Sequence, residues 1–179
     1  MNTHKFKFTV LEREIFSFLC LRAGEKLSQR EIAKKLDVSP TAVSKSVKKL
    51  IKKKLAKIEK TKNINFISFN RDEQRAIELK RVENLRQVYL SGLSDYLLDS
   101  LPGATIILFG SYSKGEDIFN SDIDIAVIGR REKSLNLNKY EKILNRNIHL
   151  LFFGSWKEIN AHLKNNILNG IVLHGSVEI

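Results

Sequence analysis

A short turn and a pair of carboxylates in the second half of the chain have the residue types and spacing for chemistry on phosphate groups. Gly110 and Ser111 follow the apolar run TIILF, which we predict to be a buried strand. Ten residues separate Ser111 from Asp122, and Asp122 and Asp124 begin a second apolar strand. Side chains two residues apart on a strand point to the same face, so the two carboxylates should lie together.

Each of these residues has a physical reason to meet a nucleotide. Backbone N–H groups of a small turn approach phosphate oxygens closely, and the Ser111 hydroxyl adds a donor. Lys114 would bring a positive charge to a triphosphate. Two carboxylates on one face could hold one or two Mg²⁺ ions, which prefer oxygen ligands and keep bonds to substrate phosphates. We therefore predict a nucleotide site at Gly110, Ser111 and Lys114, with Asp122 and Asp124 as metal ligands and catalytic residues.

The surrounding pattern predicts an α+β fold in which a mixed sheet flanked by helices positions the site. Its further elements are a helix over about 93–101, a helix over 138–144, a strand over 147–153, a helix from 155 to about 166 and a strand over 171–173.

The stretch GSYSKGEDIFNSDID resembles the GS-x10-DxD signature of the DNA polymerase β superfamily, in particular its minimal nucleotidyltransferase domains. The resemblance covers about residues 93–175. It implies that the Gly-Ser turn holds a nucleoside triphosphate, that the aspartates carry the metals, and that a nucleotidyl group passes to an acceptor hydroxyl.

One position departs from that family. The family normally offers a third carboxylate on the next core strand, and the residue that aligns there is His149. An imidazole can act as a general base, but it removes one negative charge from a cation site. His149 therefore marks either a variant catalytic base or a domain that binds nucleotide with little or no turnover.

Charge separates the first part of the chain from the second. The chain carries a formal net charge of +11. Through Lys80 there are 20 Lys and Arg against 9 Asp and Glu, whereas from Arg81 onward there are 11 of each. An excess of positive charge confined to one part is the electrostatic footprint of a module that binds a polyanion.

Helix signals in the first part predict a helix-turn-helix. Thr9 with Glu12 and Ser28 with Glu31 form capping boxes. Ser39 and Pro40 supply an N-cap and a first helical residue for a third helix that runs to about residue 53. Its apolar side chains leave short polar and basic residues on the outward face, the kind that reach bases and phosphates in a major groove. These are Thr41, Ser44, Lys45 and Lys48.

Two short strands, 55–59 and 64–69, flank a basic hairpin that contains Lys60 and Lys62. A further short strand is predicted over residues 5–8. Helices followed by a basic hairpin resemble a winged helix-turn-helix domain, and SQREIAKKLDVSPTAVSKSVKKL resembles that of bacterial and archaeal transcription regulators. The resemblance covers about residues 5–70. It implies binding to double-stranded DNA through the outward residues of the third helix together with Lys60 and Lys62.

Residues 71–92 are predicted to be a connecting helix between a winged helix-turn-helix domain at 1–70 and a nucleotidyltransferase-like domain at 93–179. Its apolar stripe either forms a homodimer with a second copy or packs on its own domain. The apolar stretches are far shorter than the roughly 20 residues that span a bilayer, and MNTHKFKF lacks an apolar signal core. The single Cys20 suits a reducing compartment. A cytoplasmic protein without membrane association is expected.

Three functions agree with these signals. The first is a DNA-binding transcriptional regulator whose second domain binds nucleotide and Mg²⁺. The second is an active nucleotidyltransferase that moves a nucleotidyl group from an NTP to a protein, a nucleic acid or a small molecule. The third follows from the family's habit of pairing minimal nucleotidyltransferases with a HEPN ribonuclease toxin, which would make this chain the antitoxin of a HEPN-type partner.

Overall fold

The computed structural model describes residues 7–62 and 64–178. The chain divides into two compact units, Met1–Lys80 and Arg81–Ile179. The division falls where the sequence changes from strongly basic to neutral. Each unit folds around its own hydrophobic core.

Three helices form the body of the first unit: α1 (Val10–Leu21), α2 (Gln29–Leu36) and α3 (Pro40–Lys52). Both capping boxes predicted from the sequence are present, at Thr9 and at Ser28, and the Ser39 side chain accepts a hydrogen bond from the backbone N–H of Ala42. Because these side chains satisfy N–H groups that lack helical partners, the starts of all three helices are fixed locally.

A three-stranded antiparallel sheet completes the first unit, in the order β1 (Leu27–Ser28), β3 (Asn65–Phe69), β2 (Ala56–Lys60). The two longer strands confirm the predicted hairpin. The sequence gave no sign of β1, which is only two residues long and pairs with β3 just before α2 begins. The strand predicted over residues 5–8 falls partly outside the described residues, and Lys7 and Phe8 are not in a strand.

The second unit is built on a four-stranded mixed sheet in the order β6 (Ile148–Phe153), β5 (Ile123–Ile128), β4 (Thr105–Phe109), β7 (Ile171–His174). The β5–β6 pair is parallel, and the two remaining pairs are antiparallel. The central strands β4 and β5 read as continuous apolar runs because both their faces are covered, by the two core clusters of the unit.

Helix α4 (Gln74–Leu90) crosses the division between the units along the chain, and α5 (Leu93–Ser100) leads to β4. The apolar stripe of α4 is split in its fate. Val88 is fully buried, whereas Val82 and Tyr89 are exposed. Helix α6 (Gly110–Lys114) follows β4 directly, and α7 (Asn138–Leu144) precedes β6.

The single helix predicted from residue 155 to about 166 is wrong. The chain forms a 3-10 turn at Trp156–Glu158 and then a separate helix α8 (Ala161–Leu168). Asn160 begins the new helix, since its side-chain oxygen accepts a hydrogen bond from the backbone N–H of Leu163. Trp156, Ile159 and Leu163 still pack in one cluster, which explains why their spacing looked helical.

Within the described residues, no helix is long and apolar enough to span a bilayer. Cys20 is buried in the core of the first unit, as a small hydrophobic residue would be.

Candidate functional site

The Gly-Ser turn and the Asp pair meet at one edge of the second sheet. Gly110 begins α6 with a φ of +75°, in the left-handed region that favours glycine. A Cβ atom on Gly110 would overlap the Asp124 carboxylate, so the carboxylate packs directly against the glycine backbone. Asp124 also lies opposite Phe109 in the β4–β5 register. Glycine at this position is therefore what allows the turn and the carboxylate to be neighbours.

His149 occupies the place on the adjacent strand that the sequence comparison assigned to it. It pairs with Asp124 in the parallel β5–β6 register. Its Nδ1 atom lies 3.8 Å from Asp122 Oδ2 and 3.9 Å from Asp124 Oδ1. The imidazole thus faces both carboxylates, and all three side chains are partly open to solvent.

The electrostatics of the pair are unbalanced toward negative charge. The pKa of Asp124 is raised above its ordinary value, chiefly because burial disfavours its charged form. The neighbouring charge of Asp122 raises the pKa of Asp124 further, whereas His149 opposes the shift. A bound cation would relieve both the desolvation and the repulsion.

Neighbouring backbone and amide groups hold the end of β6 in place. The Asn147 side chain donates a hydrogen bond to Asp122 Oδ1 at 3.1 Å. Glu141 on α7 accepts a hydrogen bond from the backbone N–H of Ile148 at 3.0 Å. Glu141 therefore orients the start of β6 and does not take the place of the third carboxylate.

Ser111 and Lys114 lie on α6, at its second and last residues. Both are partly exposed. Gly115, with a φ of +77°, ends α6 by accommodating a left-handed backbone. The side chain of Ser113 bonds back to the Gly110 carbonyl at 2.8 Å and is buried, so it stabilises the turn from below.

A buried polar network beneath the turn was not predicted from the sequence. Asp117 and Arg146 form an ion pair at 3.6 Å, and both side chains are almost fully buried. Asn84 on α4 donates hydrogen bonds to Asp117 Oδ1 at 2.7 Å and to the Tyr112 carbonyl at 2.9 Å. The network ties the loop after α6 to the residues that precede β6. A Glu-Asp pair at 116–117 and an Arg at 146 gave no local signal, because their partners are distant in sequence.

The donor set agrees with a weak, hard-cation site that is completed by a nucleotide. Within residues 7–62 and 64–178, no three or more His, Cys, Asp and Glu side chains are arranged to hold a metal ion by themselves. Two carboxylates next to a phosphate-binding turn are nevertheless what Mg²⁺ commonly uses, because this ion keeps water and substrate phosphates as ligands. Asp122 and Asp124 would hold the ion, whereas His149 is a less suitable ligand for it.

The residues predicted to contact DNA form an exposed surface on the first unit. Thr41, Lys45 and Lys48 of α3 are exposed and Ser44 is partly exposed. Lys60 at the end of β2 and Lys62 in the hairpin are also exposed. Within the part of the chain that the structure describes, none of these four lysines forms an ion pair with the protein.

A buried carboxylate holds α3 against α1. Glu12 has a side chain that is only 2% exposed, and it bonds Lys49 at 2.9 Å and Lys53 at 3.0 Å. Lys53 also donates to the Lys7 carbonyl and lies over the Phe8 ring. Although burial alone would raise it, the pKa of Glu12 is lowered to about 2 by these hydrogen bonds and charges. Some of the lysines of α3 are thus structural, and sequence reasoning did not separate them from the free ones.

Two family models match the chain. The one described as a nucleotidyltransferase domain matches residues 90–177, and the one described as the MarR family matches residues 8–63. The chain joins a MarR-type winged helix domain to a nucleotidyltransferase domain. The two matches agree with the two units and with the families that the motifs of the sequence resemble.

Solved structures similar to the chain include members of the MarR family. The adhesin competence repressor AdcR from Streptococcus pyogenes is 20% identical, with 57% of this chain and 72% of that chain covered and a TM-score of 0.43. The zinc-responsive MarR family member ZitR from Lactococcus lactis is 23% identical, with 57% and 69% covered and a TM-score of 0.41. The structure of that ZitR in complex with DNA is 20% identical, with 56% and 69% covered and a TM-score of 0.39.

Across these similar structures the chain spans 66% to 72% of the other protein's length. TM-scores this low match no individual residues, so no property of these proteins is carried to the chain. A comparison with curated proteins found no match.

Proposed function

We propose that the protein is a DNA-binding transcriptional regulator whose nucleotidyltransferase domain binds a nucleoside triphosphate together with Mg²⁺. The packing of the Asp124 carboxylate against Gly110 carries the nucleotide part of this proposal. It places a turn suited to phosphate oxygens directly beside carboxylates suited to a cation. The free lysines of α3 and the hairpin carry the DNA part.

DNA binding would use α3 in the major groove and the β2–β3 hairpin along the backbone. Thr41, Ser44 and Lys45 lie on the first two turns of α3, where a recognition helix contacts base edges. Lys48, Lys60 and Lys62 would neutralise phosphates. Each neutralised phosphate releases counterions, so affinity should fall steeply with salt.

Fluorescence anisotropy with duplex DNA from upstream of the protein's own gene tests this part. We expect affinity to fall by at least about tenfold from 50 to 200 mM salt. Lys45→Ala/Lys48→Ala should reduce both the affinity and the salt slope, whereas Lys34→Ala/Lys35→Ala on the exposed face of α2 is the matched control. Salt-independent binding, or unchanged binding by the α3 variant, would exclude the DNA-binding surface.

Nucleotide binding would follow from the same geometry. The α6 turn, with Gly110 and Ser111, offers backbone and hydroxyl donors to phosphate oxygens, and Lys114 adds charge. Asp122 and Asp124 would hold the cation against those phosphates. When bound, Mg²⁺ would neutralise phosphate charge and polarise the phosphoryl oxygens.

A second candidate function, nucleotidyl transfer, is favoured by the position of His149. Its Nδ1 faces both carboxylates at 3.8 and 3.9 Å, where a base could take a proton from an acceptor hydroxyl. A transfer assay with labelled NTPs separates it from the first. Transfer of label above the Asp122→Ala/Asp124→Ala control indicates an enzyme, and its absence with a suitable acceptor leaves a binding domain.

The exposed part of α4 supports a homodimer. Val82 and Tyr89, seven residues apart, lie on one side of the helix and are 65% and 46% exposed. Apolar side chains two turns apart suit pairing with the same stripe of another copy. Light scattering coupled to size exclusion should give twice the 20.6 kDa mass of the chain. A Val82→Glu/Tyr89→Glu variant should then be a monomer, and a monomeric wild-type protein would contradict the pairing.

A further inference from the structure

A cavity of about 470 Å³ opens beside Asp122 in the second unit. Its walls come from the 119–122 loop, from α7 and from residues 145–147. This volume lies within the range of small-molecule sites. None of the residues of the α6 turn lines it, so the cavity is separate from the predicted phosphate site.

Carboxamides dominate the lining. Asn120, Asn138 and Asn145 point no side-chain hydrogen bond at any described residue of the protein. Each carboxamide offers both a donor and an acceptor. Nucleobase edges present the same alternation, and asparagine pairs with adenine through two such bonds. An uncommitted set of amides around one cavity therefore suits a nucleobase better than an apolar or a purely charged ligand.

Two further side chains of the lining suit a nucleotide within a strand. Phe119 is 39% exposed at the cavity, and an exposed aromatic ring can stack on a base. Lys142 is exposed and forms no ion pair within residues 7–62 and 64–178. A lysine in this position could contact the phosphate that links a terminal nucleotide to the rest of its strand.

The cavity lies on the side of the carboxylates away from the α6 turn. Asp124 packs against Gly110 of the turn, whereas Asp122 lines the cavity. Phosphoryl displacement needs the attacking and leaving oxygens roughly in line on opposite sides of phosphorus. With the leaving phosphates held at the turn, an attacking hydroxyl would come from the cavity side.

We propose that the cavity binds the terminal nucleoside of a nucleic-acid strand as the acceptor for nucleotidyl transfer. The inference rests on the proposed triphosphate site and on the transfer reaction. The acceptor hydroxyl oxygen bonds to the α-phosphorus of the triphosphate while the bond from that phosphorus to the pyrophosphate oxygen breaks. The hydroxyl proton passes to His149, and pyrophosphate leaves with the electron pair of the broken bond.

Calorimetric titration with the four nucleoside 5′-monophosphates, with and without saturating α,β-methylene-ATP and Mg²⁺, tests the cavity. We expect at least one monophosphate to bind in both conditions. Asn138→Ala/Asn145→Ala should weaken it by at least about tenfold and leave the affinity for the triphosphate analogue unchanged. Asn165→Ala, an exposed amide on α8 outside the cavity, is the matched control, and circular dichroism checks that each variant is folded.

The outcomes separate the inference from the proposed function. Unchanged binding of the monophosphates by the double variant overturns the cavity as a nucleoside site. Competition between the analogue and the monophosphates overturns the acceptor assignment, because the cavity would then hold the base of the triphosphate itself. Failure of the analogue to bind the wild-type protein contradicts the triphosphate site, and with it the acceptor role, while the monophosphate result still decides the cavity.

A second titration decides whether the acceptor is a strand. A tetraribonucleotide with a free 3′ end should bind at least about tenfold more tightly than its terminal monophosphate. The Lys45→Ala/Lys48→Ala background removes the contribution of the winged helix. Lys142→Ala in that background should abolish the gain. Equal affinity for the tetranucleotide and the monophosphate would overturn the strand assignment.

Discussion

Carboxylates in the two units are treated in opposite ways. Glu12 in the first unit is buried between two lysines, and its pKa is lowered to about 2. Asp124 in the second unit has another carboxylate and an imidazole for neighbours, and its pKa is raised. Glu12 thus has its charge compensated inside the protein, whereas the Asp122 and Asp124 pair keeps surplus negative charge at a partly open edge. The difference separates a carboxylate that stabilises the fold from carboxylates suited to bind a cation.

The largest expected effect is on the second unit, from Gly110→Ala. The new Cβ would push the Asp124 carboxylate out of place. We expect binding of ATP with Mg²⁺ to fall by more than about tenfold, and the left-handed backbone to cost about 1 kcal/mol of unfolding free energy. Titration calorimetry and thermal unfolding measure the two effects.

Gly129→Ala is the matched control for that substitution. Gly129 also has a positive φ, of +85°, but nothing lies within 4 Å of its missing Cβ. It should show the strain without the loss of binding. Equal loss of ATP binding in both variants would mean that the contact between Gly110 and Asp124 does not matter for the site.

The next largest effect is on the first unit, from Glu12→Gln. The amide keeps the shape but removes the charge that Lys49 and Lys53 surround, so two cations would remain close together. We expect a loss of about 1 to 3 kcal/mol of unfolding free energy, the range for breaking a buried charge interaction. Urea denaturation followed by circular dichroism measures it, with the exposed Glu14→Gln on the same helix as control. Equal stability of the two variants would refute the structural role of Glu12.

The pH dependence should differ between the two carboxylates. Because the pKa of Glu12 is lowered, its contribution to stability is complete above its ordinary value of 4.5 and is lost as the pH falls from 4.5 toward 2. Denaturation of the wild-type protein from pH 7 to pH 2.5 should show this loss, and Glu12→Gln should show a smaller one. Parallel profiles would contradict the assignment.

The smallest effect is expected from Asp124→Asn on the protein without ligands. A raised pKa means that the charged form is disfavoured in the folded state at neutral pH. Removing the charge should leave the unfolding free energy unchanged or raise it by less than about 1 kcal/mol, since the group is partly exposed. Thermal unfolding at pH 7 tests this, and a clear loss of stability would show that Asp124 serves the fold.

The sequence predicted those features whose partners are close along the chain or fixed by strand alternation. The capping boxes at Thr9 and Ser28 need only residues three positions apart. The meeting of Asp124 with His149 followed because an apolar strand after the Asp pair should pair with the next apolar strand. The site roles of these residues and of the α3 lysines stay predictions.

Features that depend on distant partners could not be predicted. The two-residue strand β1 exists only because β3 lies beside it, and the pairing of Asp117 with Arg146 joins loops 29 positions apart in the numbering. The break between Glu158 and Ala161 was hidden because Trp156, Ile159 and Leu163 pack on one core on both sides of it. The structural role of Lys49 and Lys53 depends on Glu12, which lies on another helix.

The dependence of ATP binding on Mg²⁺ tests most directly whether surplus negative charge at Asp122 and Asp124 forms a cation-dependent nucleotide site. Calorimetric titration of ATP into the wild-type protein should give at least about tenfold tighter binding with Mg²⁺ than without it. Asp122→Asn/Asp124→Asn should bind ATP equally in both conditions. Wild-type binding that does not change when Mg²⁺ is removed, or a double variant that keeps the full Mg²⁺ effect, would contradict the account.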